Sequence, residues 1–274
     1  MRVFLALALA GLLAATRASD PVSMNVFVQN GDVPAIGLTK TDFVLTDNGA
    51  EQVIDRVMVD ARPVDVTLLL DVTGDAPPTL DQVTRTVTSL TRVLAAEDRM
   101  RVITFGGEVT LTVPLQSATQ PVSVSLIARN GRPVLNAALL YALTRPGEPG
   151  RRHLIVAITA GRDMDLLLGT DQLSAVANRS DAVLVALLTK ATFSSLGEVV
   201  RATGGAIYGL SGDLPSAFNG VLENFKGAYR VQWTPQPATP DGWHAVKVAV
   251  PGFKKYTVRA RPGYVSSVAA VKKP

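Results

Sequence analysis

The chain has 274 residues and a mass of 28.9 kDa, enough for one large domain or a medium domain with a small appendage. Hydrophobic residues make up 47% and charged residues 18%, with ordinary glycine and proline content, which excludes extended disorder and a collagen-like repeat. Cysteine is absent and histidine is limited to His153 and His244, so disulfides, thiol catalysis, iron–sulfur clusters and Cys- or multi-His-ligated metals are excluded; the net charge of +4 comes from basic residues spread without a run longer than two, a pattern of solubility rather than of a nucleic-acid partner.

Met1 and Arg2 precede an apolar run from Val3 to Ala15, and Thr16-Arg17-Ala18 places small residues at the −3 and −1 positions of a cut after Ala18. This predicts a signal peptide over 1–18 and an exported, periplasmic or extracellular chain. The apolar run is shorter than the roughly 20 residues of a membrane span, and no later stretch is long and apolar enough to cross, so no transmembrane segment is expected after signal removal; retention of the leader as an anchor is the alternative. Residues 19–60 read as a short β segment, with strands at Met24–Val28 and Asp42–Thr46 and a hairpin signal at Asp47-Asn48-Gly49.

From Val64 the rhythm becomes strand and helix in alternation. Val64–Asp71 is a nearly continuous apolar run ending in a carboxylate, and Leu80, Val83, Val87, Leu90 and Leu94 predict a helix over 79–96. Further strands are expected at 101–105, 108–113, 153–159 and 182–188, with helices at 134–143, 171–177, 193–202 and 214–225. Strands buried on both faces and separated by helices predict an α/β fold, a doubly wound, mostly parallel sheet over 64–226. After Gly227 strands return at 229–233, 243–250 and 256–260, and this segment, 227–264, is expected to form a small β domain with the N-terminal one; 265–274 reads as a frayed tail. In a doubly wound sheet ligands sit beyond the carboxyl ends of the strands, so the residues after Leu70, Phe105 and Thr159 are the candidate site.

Asp71-Val72-Thr73-Gly74-Asp75 closes the first of those strands. With it, the Gly106-Gly107 turn, the strand end Ile158-Thr159-Ala160-Gly161-Arg162-Asp163 and the late strand–helix pair, the chain resembles a von Willebrand factor type A domain from about Val64 to Lys226. The flanks Gly37-Leu38-Thr39-Lys40-Thr41-Asp42-Phe43 and Val258-Arg259-Ala260-Arg261-Pro262-Gly263-Tyr264 are similar to an exported bacterial subgroup of that family. The resemblance implies a metal-ion-dependent adhesion site holding a small divalent cation by hard oxygen ligands. Asp71 matches its first carboxylate, Thr73 its first hydroxyl and Asp75 its second hydroxyl position. Pro133 stands where the second loop should give a Thr, and Ala160 where the third should give an Asp, so two of the five ligands are missing. The expected site is therefore degenerate, with no cofactor and at most weak Mg²⁺ or Mn²⁺ binding at Asp71, Thr73 and Asp75, and with Gly106, Gly107, Arg132 and Arg162 shaping a face for a protein partner.

The expected function is a non-catalytic binding module. Two readings compete with it: a metal-assisted hydrolase using Asp71 and Asp75, and a cell-envelope scaffold without a discrete site. Neither a Gly-x-Ser-x-Gly elbow nor a phosphate loop is present, since Gly31 to Lys40 has the wrong spacing. His153, beside Arg151 and Arg152, reads as a solvated edge residue, and His244, beside Trp243, as packing.

Overall fold

The computed structural model describes residues 20–31, 33–73, 78–129, 131–145, 147–163, 168–190, 196–236 and 241–266. The leader segment 1–18, Asp75 and the tail beyond 266 lie outside them. The N-terminal segment supplies β1 (Val22–Asn30), β2 (Val33–Pro34), β3 (Val44–Asp47), β4 (Ala50–Gln52) and β5 (Ile54–Val59). The turn between β3 and β4 is the expected hairpin. Asn48 and Gly49 both take left-handed backbone (φ 48° and 84°), the conformation an Asn-Gly pair adopts at least cost. Ahead of it, Thr39 caps a single 3-10 turn at Lys40–Asp42 through its hydroxyl and amide, both donated to Asp42 Oδ2 at 2.9 and 2.7 Å.

The core follows as β6 (Val64–Asp71), α1 (Leu80–Thr91), β7 (Arg99–Phe105), β8 (Val109–Ser117), α2 (Leu135–Leu143), β9 (Arg152–Thr159), α3 (Thr170–Ala177), β10 (Val183–Leu188), α4 (Leu196–Ala202), β11 (Ile207–Gly209) and α5 (Leu214–Lys226). The chain closes with β12 (Tyr229–Trp233), β13 (Gly242–Ala249), β14 (Thr257–Ala260) and β15 (Gly263–Ser266). The first helix begins where expected, because Thr79 and Gln82 exchange backbone–side-chain bonds at its start. It ends earlier than the apolar spacing suggested. The buried Asp98 carboxylate accepts the Ala95 and Val64 amides at 3.0 and 2.9 Å, which holds the 92–98 segment as a turn into β7.

The central sheet runs β11-β10-β9-β6-β7-β8; all its pairings are parallel except β7 with β8. Alternate residues of β6 divide between its two faces. Val66, Leu68 and Leu70 pack with Val83, Val87 and Leu90 of α1 and Phe218, Val221 and Phe225 of α5, while Leu69 packs with Leu135 and Leu139 of α2 and with residues of α3 and α4. That two-sided burial is why the strands read as unbroken apolar runs.

Strands from both ends of the chain share two further sheets, β14-β1-β12-β5 with β2 beside β1, and β15-β13-β3-β4. Their common core includes Val26, Phe43, Leu45, Tyr229, Val231 and Trp233. Tyr229 also pins the 35–38 turn, accepting the Leu38 amide and donating to the Ala35 carbonyl. Trp233 and Tyr229 are buried, while Trp243 is exposed. The frayed tail is corrected at its start: Val265 and Ser266 pair with Trp243 and Gly242 in the β13–β15 ladder. His153 is corrected too. It lies buried on β9 and hydrogen-bonds Thr67 Oγ1 at 2.9 Å, because its arginine neighbours are themselves drawn inward by Asp60, Asp65 and backbone carbonyls. Among the described residues no helix is long and apolar enough to cross a membrane.

Candidate functional site

Four chain segments meet at the carboxyl edge of the central sheet. Asp71, the last residue of β6, is half-buried; its Oδ1 accepts the Thr73 amide at 3.0 Å and the Thr73 hydroxyl at 2.6 Å, an Asx turn that bends the chain off the strand. Its Oδ2 accepts the hydroxyl of the buried Thr159, at the end of the adjacent β9, at 2.8 Å. Thr159 Oγ1 in turn accepts the Gly161 amide at 3.0 Å, and Gly161 takes left-handed backbone there (φ 74°). The carboxylate is thus held by both neighbouring loops.

The second wall is the Gly106-Gly107 turn after β7. Gly106 donates to the Glu108 carbonyl and accepts from the Val134 amide, and Gly107 donates to the Arg129 carbonyl. Gly131 passes so close to this turn that an added Cβ would stand 2.9 Å from Gly107 Cα, so the Gly131-Arg132-Pro133 segment needs glycine at its first position. Asp163 Oδ1 accepts the Asn136 amide at 3.2 Å and joins the 160–163 loop to the start of α2. Arg132 and Arg162 are exposed on these loops, as is Gly107, while Gly106 is buried. The structure therefore brings Asp71, Thr73, Gly106, Gly107, Arg132 and Arg162 to one edge of the core. Asp75 lies outside the described residues. The residue not singled out from sequence as part of the site is Thr159; a hydroxyl ending a fully buried strand was the available signal.

The donor chemistry can be compared with that of a small divalent cation, which asks for near-octahedral oxygen ligation. The described residues bring the Asp71 carboxylate and the Thr73 and Thr159 hydroxyls. Both carboxylate oxygens are already hydrogen-bond acceptors, and both hydroxyls are donated to them. Pro133 is buried and without a side-chain oxygen, Ala160 has none either, and among the described residues no group of three or more acidic or histidine side chains gathers. This set by itself does not fit such an ion.

No protein-family model matches the chain, and no curated protein matches it. Among solved structures it is similar to a von Willebrand factor type A protein from Catenulispora acidiphila, at 11% identity and a TM-score of 0.48 over 92% of this chain and 75% of that one. It is also similar to an aerotolerance-related membrane protein from Bacteroides fragilis, at 18% identity and a TM-score of 0.44 over 59% of this chain and 98% of that one. The manganese-loaded TRAP protein of Plasmodium vivax follows at 13% identity and 0.41, over 80% and 97%. At such identities and scores these similarities carry no argument. The core itself is a doubly wound, mostly parallel α/β sheet with β9 and β6 at its centre, β8 as the antiparallel edge and the Asp71 loop at the carboxyl edge of β6.

Proposed function

We propose that the protein is an exported, non-catalytic binding module that engages a protein partner through the carboxyl edge of its central sheet without an obligatory cation. The observation that carries this reading is the internal satisfaction of Asp71, whose two oxygens are taken by Thr73 and Thr159 where the family resemblance would place a metal. In this reading the adhesion site is degenerate: Pro133 and Ala160 have replaced two ligands, and Asp71 has become the knot that ties the loops. Exposed Arg132 and Arg162 favour an acidic partner surface. The signal-like residues 1–18 support export, and residues 19–60 and 227–264 act as one β unit flanking the 64–226 core. A hydrolase finds little support. His153 lies six residues along β9 from Thr159, roughly 20 Å at strand spacing, so it is out of reach of Asp71 as a general base.

Calorimetric titration with Mg²⁺ and Mn²⁺, together with melting in the presence and absence of chelator, tests the proposal. We expect no binding heat and no chelator effect. Asp71→Ala should lower stability by about 1–3 kcal/mol to the same extent with and without Mg²⁺, because buried donors lose their acceptor. Micromolar cation binding that Asp71→Ala abolishes would overturn the reading and restore a metal-dependent adhesin.

A further inference from the structure

At the opposite, amino-terminal end of the central sheet, where it meets the β14-β1-β12-β5 sheet, lies a cavity of about 220 Å³. Five arginines line it: Arg62 from the β5–β6 connection, Arg151 and Arg152 at the start of β9, Arg230 from β12, and Arg261 between β14 and β15. His153, Asp181, Ser23, Asn25 and Thr203 complete the polar lining, with Asp181 at the exposed rim. Three of the arginines are matched by acids. Arg62 and Arg152 share Asp60, and Arg151 pairs with Asp65 at 2.6 Å. Arg230 and Arg261 have no carboxylate within ion-pair distance among the described residues; Arg230 reaches only Ser23 Oγ at 3.3 Å, and Arg261 donates to the Ala177 and Ser180 carbonyls. Counting Asp60, Asp65 and Asp181 against the five guanidiniums leaves two positive charges facing one small space.

Donors here are also left unused. Arg152, whose side chain is 1% exposed, is spent on Asp60 and on the Asp60 and Phe225 carbonyls, so its charge is matched inside the protein. Arg261 Nε and the buried His153 Nδ1, by contrast, make no hydrogen bond. Buried polar groups normally find a partner, and several cations gathered around one cavity repel one another unless an anion joins them. Burial draws Arg152 down to about 10 and His153 down to about 4, and it also lowers Arg261; at neutral pH Arg152 remains cationic while His153 is a neutral donor or acceptor.

We propose that this cavity is a binding site for a phosphate-class oxyanion, held by Arg230 and Arg261 with the Nδ1 of His153 as a further donor. Planar guanidinium forks match tetrahedral oxyanions bidentately. The space is smaller than the roughly 300–1,000 Å³ that encloses drug-sized ligands, so it suits a free phosphate or the phosphoryl end of a small ester, not a nucleotide. The site is about the length of a β-strand from Asp71 and is independent of the partner face there. Bound anion would also bridge the core to the flanking sheet, since Arg230 belongs to the latter and His153 to the former.

The test is the melting temperature and calorimetry of the full chain with inorganic phosphate and, in a second arm, glycerol phosphate, each against sodium chloride of equal ionic strength. We expect phosphate in large excess over its Kd to raise the melting temperature by about 5 °C. Arg230→Glu, at a half-exposed position with one weak hydrogen bond, should melt no lower than the parent without anion, since it relieves repulsion among the arginines, and should weaken binding about 10-fold or more. Arg132→Glu, at the other end of the sheet, should bind as the parent does. Tighter binding in one arm identifies whether the free ion or the ester is the ligand. No response in either arm, a response equal to that of chloride, or an undiminished response in Arg230→Glu would each overturn the proposal.

Discussion

Replacing Asp65 with alanine is expected to cost about 3–5 kcal/mol of stability, the largest single electrostatic effect anticipated in this protein. Asp65 is buried on the first turn of the β6 ladder, its side chain only 3% exposed, and it serves two arginines at once. Its Oδ1 accepts Arg99 Nε at 2.9 Å and Arg151 Nε at 2.6 Å, and its Oδ2 accepts a second Arg99 nitrogen at 2.5 Å. Arg151 reaches onward to the Val64 and Glu97 carbonyls, so the carboxylate organises the start of β6, β7 and β9 together. Removing it leaves two partly buried cations without their shared partner.

The same group sets part of the acid response. Burial raises the Asp65 pKa, but the hydrogen bonds and charges of Arg99 and Arg151 outweigh it and hold the group below the ordinary aspartate value of 3.8. Asp60 is lowered in the same sense, against its own burial, by Arg62 and Arg152. A carboxylate with a depressed folded-state pKa contributes stability that is fully present above its unfolded pKa and is lost as pH falls through the folded one. The parent should therefore lose stability below about pH 4, and Asp65→Ala, which no longer has the group, should show a shallower acid slope. Denaturant unfolding between pH 2 and 7 reads both effects. A loss under 1 kcal/mol at pH 7, or an unchanged acid slope, would show that the Asp65 cluster is energetically idle.

The second large effect is expected at Gly205, where alanine should destabilise by more than about 4 kcal/mol. Helix α4 ends in a Schellman pattern: Gly204 donates to the Arg201 carbonyl at 2.9 Å, Gly205 donates to the Val200 carbonyl at 3.0 Å, and Gly204 takes left-handed backbone (φ 74°). Gly205 then passes directly over β10. A Cβ there would fall on the Leu184 carbonyl, which is main chain inside a parallel ladder and cannot swing aside. Relief would pull β11 away from β10 and break the Ala186–Ala206 hydrogen bond that starts their pairing. Gly197→Ala provides the control. It lies on α4 with nothing within 4 Å of the new methyl, and should be neutral or stabilising by up to about 1 kcal/mol. At roughly 2–4 °C per kcal/mol for a chain of this size, Gly205→Ala should melt at least about 8 °C lower, and a melting temperature near the parent's would contradict the packing described.

Some elements were legible in the sequence because their cause is local. The β6, β9 and β10 strands are buried on both faces and so appear as apolar runs; the Asn48-Gly49 hairpin and the Thr79–Gln82 helix start follow from backbone chemistry within a few residues. Other elements were not. Strand β5 carries Asp55, Arg56 and the exposed Met58 and Val59, so it shows no alternation, and it exists because β12 offers it an edge. Strand β11 is three residues long and is defined by its parallel partner alone. The candidate site was partly legible, since Asp71 and Thr73 sit in a short motif; the hydrogen bond that Thr159, 88 residues away, donates to Asp71 was not.

The sequence by itself determined the alternation of buried strands and amphipathic helices, the return to β structure at the chain ends and the oxygen-poor loops at Pro133 and Ala160. These depend on residue type and on spacing of two to four positions. Only the tertiary structure decided where the basic residues act. Arg62, Arg151, Arg152, Arg230 and Arg261 are scattered in the chain and read there as solubility, yet strand order brings them around one cavity. The physical reason is that charge acts through distance in space: hydrophobic periodicity assigns each strand its face, but the pairing of β9 with β6 and of β1 with β12 determines which charges become neighbours.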